Sequence, residues 1–141
     1  MIATAESCTG GLIAAACTAV AGSSDWFERG FVTYSNSAKT ESLGVHAALI
    51  EAQGAVSEAV ARAMAEGALA HSHANLAVAV TGIAGPGGAT PGKPIGTVWF
   101  ALAQRGADTH GELLQLGGDR SAVREQTVQH ALARLLGAAT G

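Results

Sequence analysis

Ser7, Tyr34 and Lys39 are the residues whose types could together do nucleophilic chemistry. A serine hydroxyl attacks a carbonyl only when a neighbouring base takes its proton. The chain has six arginines but only two lysines, Lys39 and Lys93, and an amine, unlike a guanidinium, can be desolvated to its neutral form and accept that proton. Ser7 with Lys39, and Tyr34 relaying or orienting the proton, is the physical candidate for an activated hydroxyl. Local sequence leaves plainer roles open, since Ser7 beside Thr9 suits a helix N-cap and Lys39 suits a solvated surface amine. The common hydrolase signatures are absent. Ala5 and Thr9 stand where a G-x-S-x-G elbow needs glycine, and no serine lies three residues before either lysine.

Other motifs fail on inspection. Gly87 to Lys93 follows the phosphate-loop pattern until its last position, where Pro94 replaces the Ser or Thr that would hold magnesium and no helix follows. Gly85 and Gly87 are followed by Thr90 where a dinucleotide loop has its third glycine, so this stretch keeps only exposed amides able to bind anions. His71-Ser72-His73 offers two metal-type ligands at a polar helix end without an indicated third, and no metal or other cofactor is expected. Tyr34 and Lys39 are five apart, one more than the spacing of a short-chain dehydrogenase pair.

Elements must position the candidates. The pattern predicts a strand stub over residues 1–5, a turn over 6–11 into a helix from Leu12 to Ala21, and a break at Gly22 to Asp25 with a short turn at Trp26-Phe27. A strand from Gly30 to Tyr34, a short helix from Lys39 to Leu43 and a long helix from Ser57 to Ala70 follow. The continuous apolar run Leu76 to Val80 is a central strand covered on both faces. After the loop 81–94 come strands over Gly96 to Ala103 and Gly111 to Leu116 and a closing helix from Ser121 to Leu136. The alternation predicts one α/β domain over 1–141, a mixed sheet sandwiched between helices. Its ligand crevice should lie beyond strand ends, where the loops 5–11 and 81–94 begin.

Composition narrows the class. The 141 residues are 48% hydrophobic and 13% charged, against a usual charged share of ~25%, so a core is easily filled. A net charge of −3 without a basic block argues against nucleic-acid binding through phosphate neutralisation. No stretch reaches the ~20 apolar residues of a membrane span, and no basic leader precedes an apolar run, so a cytoplasmic protein away from membranes is expected. Cys8 and Cys17 are expected at opposite ends of one helix, roughly 13 Å apart and beyond disulfide reach, as reduced thiols.

Five ordered blocks carry a resemblance: Ala5 to Gly11, Gly30 to Asn36 with Lys39, Thr81 to Pro86, Lys93 to Trp99, and Gly118-Asp119-Arg120. From Ile2 to about Leu136 the chain closely resembles the CinA C-terminal domain family, the nicotinamide-nucleotide amidohydrolases. The resemblance implies an α/β domain that hydrolyses the carboxamide of nicotinamide mononucleotide to nicotinate mononucleotide and ammonia without a metal. It places the serine nucleophile on Ser7, the catalytic tyrosine on Tyr34 and the lysine on Lys39. Substrate contacts then fall on Thr9, Gly10, Gly11, Asn36, Thr81, Gly82, Gly85 and Arg120, with the Thr9 to Gly11 amides holding an oxyanion or phosphate. Family members carry a helix ahead of the first strand, which this chain is expected to lack, and commonly form homodimers. The alternative is a non-catalytic nucleotide-binding or regulatory module, in keeping with the family's competence and DNA-damage name.

Overall fold

The computed structural model describes residues 1–140. Its chain order is β1 (Ile2–Glu6), α1 (Leu12–Thr18), a 3₁₀ turn (Ser23–Asp25), β2 (Phe27–Val32), α2 (Asn36–Leu43), α3 (Ala47–Gln53), α4 (Glu58–Ala70), β3 (Leu76–Gly82), β4 (Thr97–Gln104), β5 (His110–Gln115) and α5 (Arg120–Thr140). The five strands form one sheet in the order β2-β1-β3-β4-β5. β1 runs parallel to both β2 and β3, whereas β4 and β5 are antiparallel additions.

Alternation within the strands divides the core into two. Ala3, Ala5, Ala77, Ala79, Ala101 and Ala103 face the layer of α2, α3 and α4, where their small side chains let α4 pack closely on the sheet. Val78, Val80, Val98 and Phe100 face the layer of α1 and α5. The mixed sheet between helical layers is the architecture expected from the sequence. β3 is buried along nearly its whole length, as its unbroken apolar run requires.

Several element bounds differ from the sequence reading. α1 stops at Thr18 rather than Ala21 because residues 18–22 lie exposed, with no apolar surface to cover. Cys8 lies in the turn before α1, not in the helix, and both cysteines are free and buried. The second strand is Phe27–Val32, three residues earlier at its start than expected, since Arg29, Gly30 and Phe31 pair with Ala3, Thr4 and Ala5. α2 begins at Asn36 because the Ser35 hydroxyl accepts a hydrogen bond from Ala38 N at 3.1 Å. The short α3 is absent from the sequence reading, which finds no periodic stripe in seven residues.

Candidate active site

β1 is the point at which the connections reverse. The chain leaves it through α1 to β2 on one side, then returns through α2 to α4 to β3 on its other side. In an open parallel sheet the crevice forms at such a switch, beyond the carboxyl ends of the strands. Ser7 follows β1, and Thr81 and Gly82 end β3. The main chain is held there from both neighbours. Ser7 N donates to Val80 O at 3.1 Å, and Thr33 N donates to Glu6 O at 2.9 Å.

α2 brings Lys39 beneath this junction. Its side chain is 1% exposed. Nζ lies 3.1 Å from Ser7 Oγ, 3.1 Å from Thr33 O and 3.2 Å from Tyr34 O. No carboxylate is among these partners, so burial dominates and pushes the Lys39 amine below its usual range. In the neutral form two N–H bonds serve the two carbonyls, which can only accept, and the lone pair is left for the Ser7 hydroxyl proton. That is the geometry of a base on a nucleophile. Cys8, next to Ser7, is no rival, because burial pushes its thiol up to about 11 and the thiolate is the reactive form.

These groups open into a cavity of about 230 Å³ lined by Ser7, Cys8, Tyr34, Asn36, Lys39, Ala55, Val56, Thr81, Gly82, Ala84 and Arg120. Tyr34 is 62% exposed and its ring stands at the mouth. It meets Lys39 through its main-chain carbonyl, while its hydroxyl accepts from Arg120 at 3.4 Å. Arg120 also donates to Gly85 O at 2.9 Å, so Gly85 positions the guanidinium through its carbonyl and does not itself line the cavity. Thr81 donates its hydroxyl to Ala55 O at 2.9 Å. A larger groove of about 410 Å³ between α1 and α5 is lined by Leu12, Ser121, Arg124, Glu125, Val128 and Gln129, and its one hydroxyl, on the exposed Ser121, has no buried base such as Lys39 offers Ser7.

Thr9, Gly10 and Gly11 do not line the cavity. Thr9 is fully buried, its hydroxyl bonded to Glu6 at 2.5 Å. The amides of Ile13 and Ala14 at the start of α1 donate to the same carboxylate at 2.8 and 3.0 Å. Glu6 thus takes the first-turn amides of α1 that follow Gly11, while the Gly10 amide donates to Ser7 O at 3.1 Å. Ser7 is not the helix cap either, because the cap position is Gly11, at φ +106°. Glu6, Cys8, Ala55, Val56 and Ala84 escape sequence reasoning. The signal for Glu6 was a carboxylate closing an otherwise uncharged buried strand, ahead of a helix with glycine at its cap.

The remaining motifs are also placed. Thr90 and Lys93 pair across a tight turn, so the near phosphate loop forms a small hairpin, and Lys93 Nζ donates to Gln53 O at 3.2 Å. His71 lies with Nδ1 2.8 Å from Gly67 O of its own helix. Among the described residues no three His, Cys, Asp or Glu side chains are grouped to hold a metal ion, and no helix is long and apolar enough to cross a membrane.

The family model of the CinA C-terminal domain matches residues 1–139. The chain belongs to the CinA C-terminal domain family. It is 59% identical to a CinA-like protein of Akkermansia muciniphila over 96% of its own length and 33% of that protein's, so it spans about a third of such longer relatives. It is 56% identical to the nicotinamide-nucleotide amidohydrolase PncC of Pseudomonas putida, over 96% of this chain and 84% of that one. The crystal structure of the competence/damage inducible protein CihA from Agrobacterium tumefaciens superposes with a TM-score of 0.94 at 50% identity, covering 97% of this chain and 84% of that one. Family membership agrees with the resemblance drawn from the five sequence blocks.

Proposed function

We propose that this domain hydrolyses the carboxamide of nicotinamide mononucleotide to nicotinate mononucleotide and ammonia. The observation that carries the reading is the buried Lys39 amine 3.1 Å from Ser7 Oγ, with two carbonyls fixing its other bonds. The names of relatives such as the Pseudomonas putida amidohydrolase, matched over most of both chains, supply the substrate.

Neutral Lys39 takes the Oγ proton as Ser7 Oγ bonds to the carboxamide carbon, and charge gathers on the carbonyl oxygen. Collapse breaks the C–N bond, and the Lys39 ammonium hands its proton to the departing nitrogen, which leaves as ammonia. Water, deprotonated by the same amine, then attacks the ester on Ser7. Breaking the C–Oγ bond releases nicotinate mononucleotide and returns the proton to Ser7. Tyr34 assists by holding the amine through its carbonyl and by fixing Arg120 through its hydroxyl. Arg120 is the cationic group at the cavity and attracts the nucleotide's phosphate, while Asn36, Thr81 and Gly82 form walls. The scheme uses no metal and no cofactor. We read the protein as a cytoplasmic homodimer acting on a small molecule rather than on nucleic acid or membranes.

Ammonia release from nicotinamide mononucleotide by the purified protein is the test, with Ser7→Ala as its control. Binding of the nucleotide without turnover would select the regulatory module instead.

A further inference from the structure

Glu6 is 1% exposed and its carboxylate meets no cation. Its three partners are the Thr9 hydroxyl and the amides of Ile13 and Ala14. Those amides belong to the first turn of α1, which an N-cap side chain ordinarily satisfies. Gly11 occupies the cap and offers none. Glu6 therefore caps α1 from the preceding strand, and Thr9 completes the closure inside the turn. From the other side, Arg124 on α5 donates to the carbonyls of Cys8 and Thr9 at 3.1 and 3.3 Å.

Successive residues of a strand point to opposite faces. Glu6 faces α1 and Ser7 faces Lys39, so the carboxylate is one residue from the nucleophile and on the opposite side of the sheet. Any rotation of the chain that moved Ser7 Oγ off the lysine would break the Glu6 bonds. We infer that Glu6 and Thr9 are positioning residues that hold Ser7 in line with Lys39, acting through the main chain and never touching substrate. This rests on the reading of Ser7 as the nucleophile, not on the identity of the amide.

A carboxylate only accepts, and all three partners donate. Glu6→Gln turns one acceptor oxygen into a donor and leaves one partner opposed. Thr9→Val removes one bond at nearly constant shape, and Thr9→Ser restores it. We would measure kcat and KM on nicotinamide mononucleotide, the rate of Ser7 labelling by a fluorophosphonate, and far-UV circular dichroism. Glu6→Gln should lose about 10²-fold in kcat and in labelling rate, as a misplaced reacting atom does, with KM little changed. Thr9→Val should lose about tenfold, and Thr9→Ser should stay within about twofold of wild type. Folded variants that label and turn over normally overturn the inference. So does a loss confined to KM, or an equal loss in Thr9→Ser and Thr9→Val. If Glu6→Gln does not fold, the Thr9 pair decides. Wild-type protein that labels but does not hydrolyse removes the substrate and keeps the clamp, whereas protein that does neither removes both.

Discussion

Two glycine-bearing loops border the cavity, and they are built differently. The turn at residues 7–11 is tied down from both sides, by buried Glu6 bonding its Thr9 hydroxyl and by half-buried Arg124 bonding its Cys8 and Thr9 carbonyls. Its glycines sit at φ +58° and +106°, in backbone that L side chains rarely adopt. The loop at residues 83–96 is anchored at its ends, where Ile83 N donates to Thr97 O and Gly96 N to Ile83 O, but residues 86–92 between them are exposed. A glycine motif alone does not distinguish these cases. Buried side chains hold the first turn along its length, whereas the second is held at its ends, at Gly85 by Arg120 and at its Thr90–Lys93 hairpin by Lys93 on Gln53 O, with an exposed stretch between.

The largest break in this contrast is at the nucleophile. Ser7→Ala should abolish turnover, a fall on the order of 10³-fold or more, with the melting temperature little changed. The hydroxyl is no cap in this fold, so its loss leaves α1 intact. Measured ammonia release with a parallel thermal melt checks both halves. A melt that collapses while activity survives per folded molecule would reverse the assignment.

Lys39→Met separates chemistry from stability. Activity should fall by about 10²–10⁴-fold for loss of a general base, while the melting temperature moves little, because relief of a desolvated amine without a counter-charge is offset by the lost bonds to Thr33 O and Tyr34 O. The pH dependence follows from the same burial. The folded amine titrates below the usual lysine value of 10.5, so the unfolded chain holds more protons over that interval and stability rises with pH there. Turnover needs the neutral amine, so kcat should also climb with pH along a limb below 10.5. A flat profile would remove Lys39 as the base.

Local rules read much of this molecule correctly. The unbroken apolar run of β3 and the periodic face of α4 report their own burial. The Ser7 and Lys39 pairing is 32 residues apart in sequence and needs the β1 crossover to exist at all, so residue type nominated it and the resemblance selected it. Thr9, Gly10 and Gly11 look like an anion seat because the sequence shows amides near a helix start but not how they are used: the Gly10 amide bonds back to Ser7 O, and Glu6 takes the Thr9 hydroxyl and the next amides along, Ile13 and Ala14. The Glu6 contacts reach seven and eight residues ahead, beyond any capping motif. Seven-residue α3 leaves too little periodicity to register.

Arg120 donates to Gly85 O of one loop and lines the same cavity as Ser7 of the other, and the proposed reading gives it the nucleotide's phosphate. Arg120→Ala should raise KM for nicotinamide mononucleotide by about tenfold, the loss of one charge-assisted contact. The KM for nicotinamide, which carries no phosphate, should barely move. Equal effects on both would make Arg120 a support for the loop rather than a phosphate contact.

The smallest expected effects come from one methyl group placed in each loop. Gly11→Ala puts a β-carbon on left-handed backbone, 3.5 Å from Val32 Cγ2, and should cost about 1–2 kcal/mol from the backbone alone. Its melting temperature should drop by about 3–8 °C. Gly87 lies outside the left-handed region and a β-carbon there meets nothing within 4 Å. Gly87→Ala should shift stability by no more than about 0.5 kcal/mol, with the reduced freedom of the unfolded chain favouring the gain. Turnover of nicotinamide mononucleotide should be unchanged, because residue 87 lines no wall of the Ser7 cavity. If Gly87→Ala left the melt alone and still lowered kcat/KM, the exposed tip would be closing on the nucleotide, and the difference between a fixed turn and a free loop would become one between two halves of a single binding site.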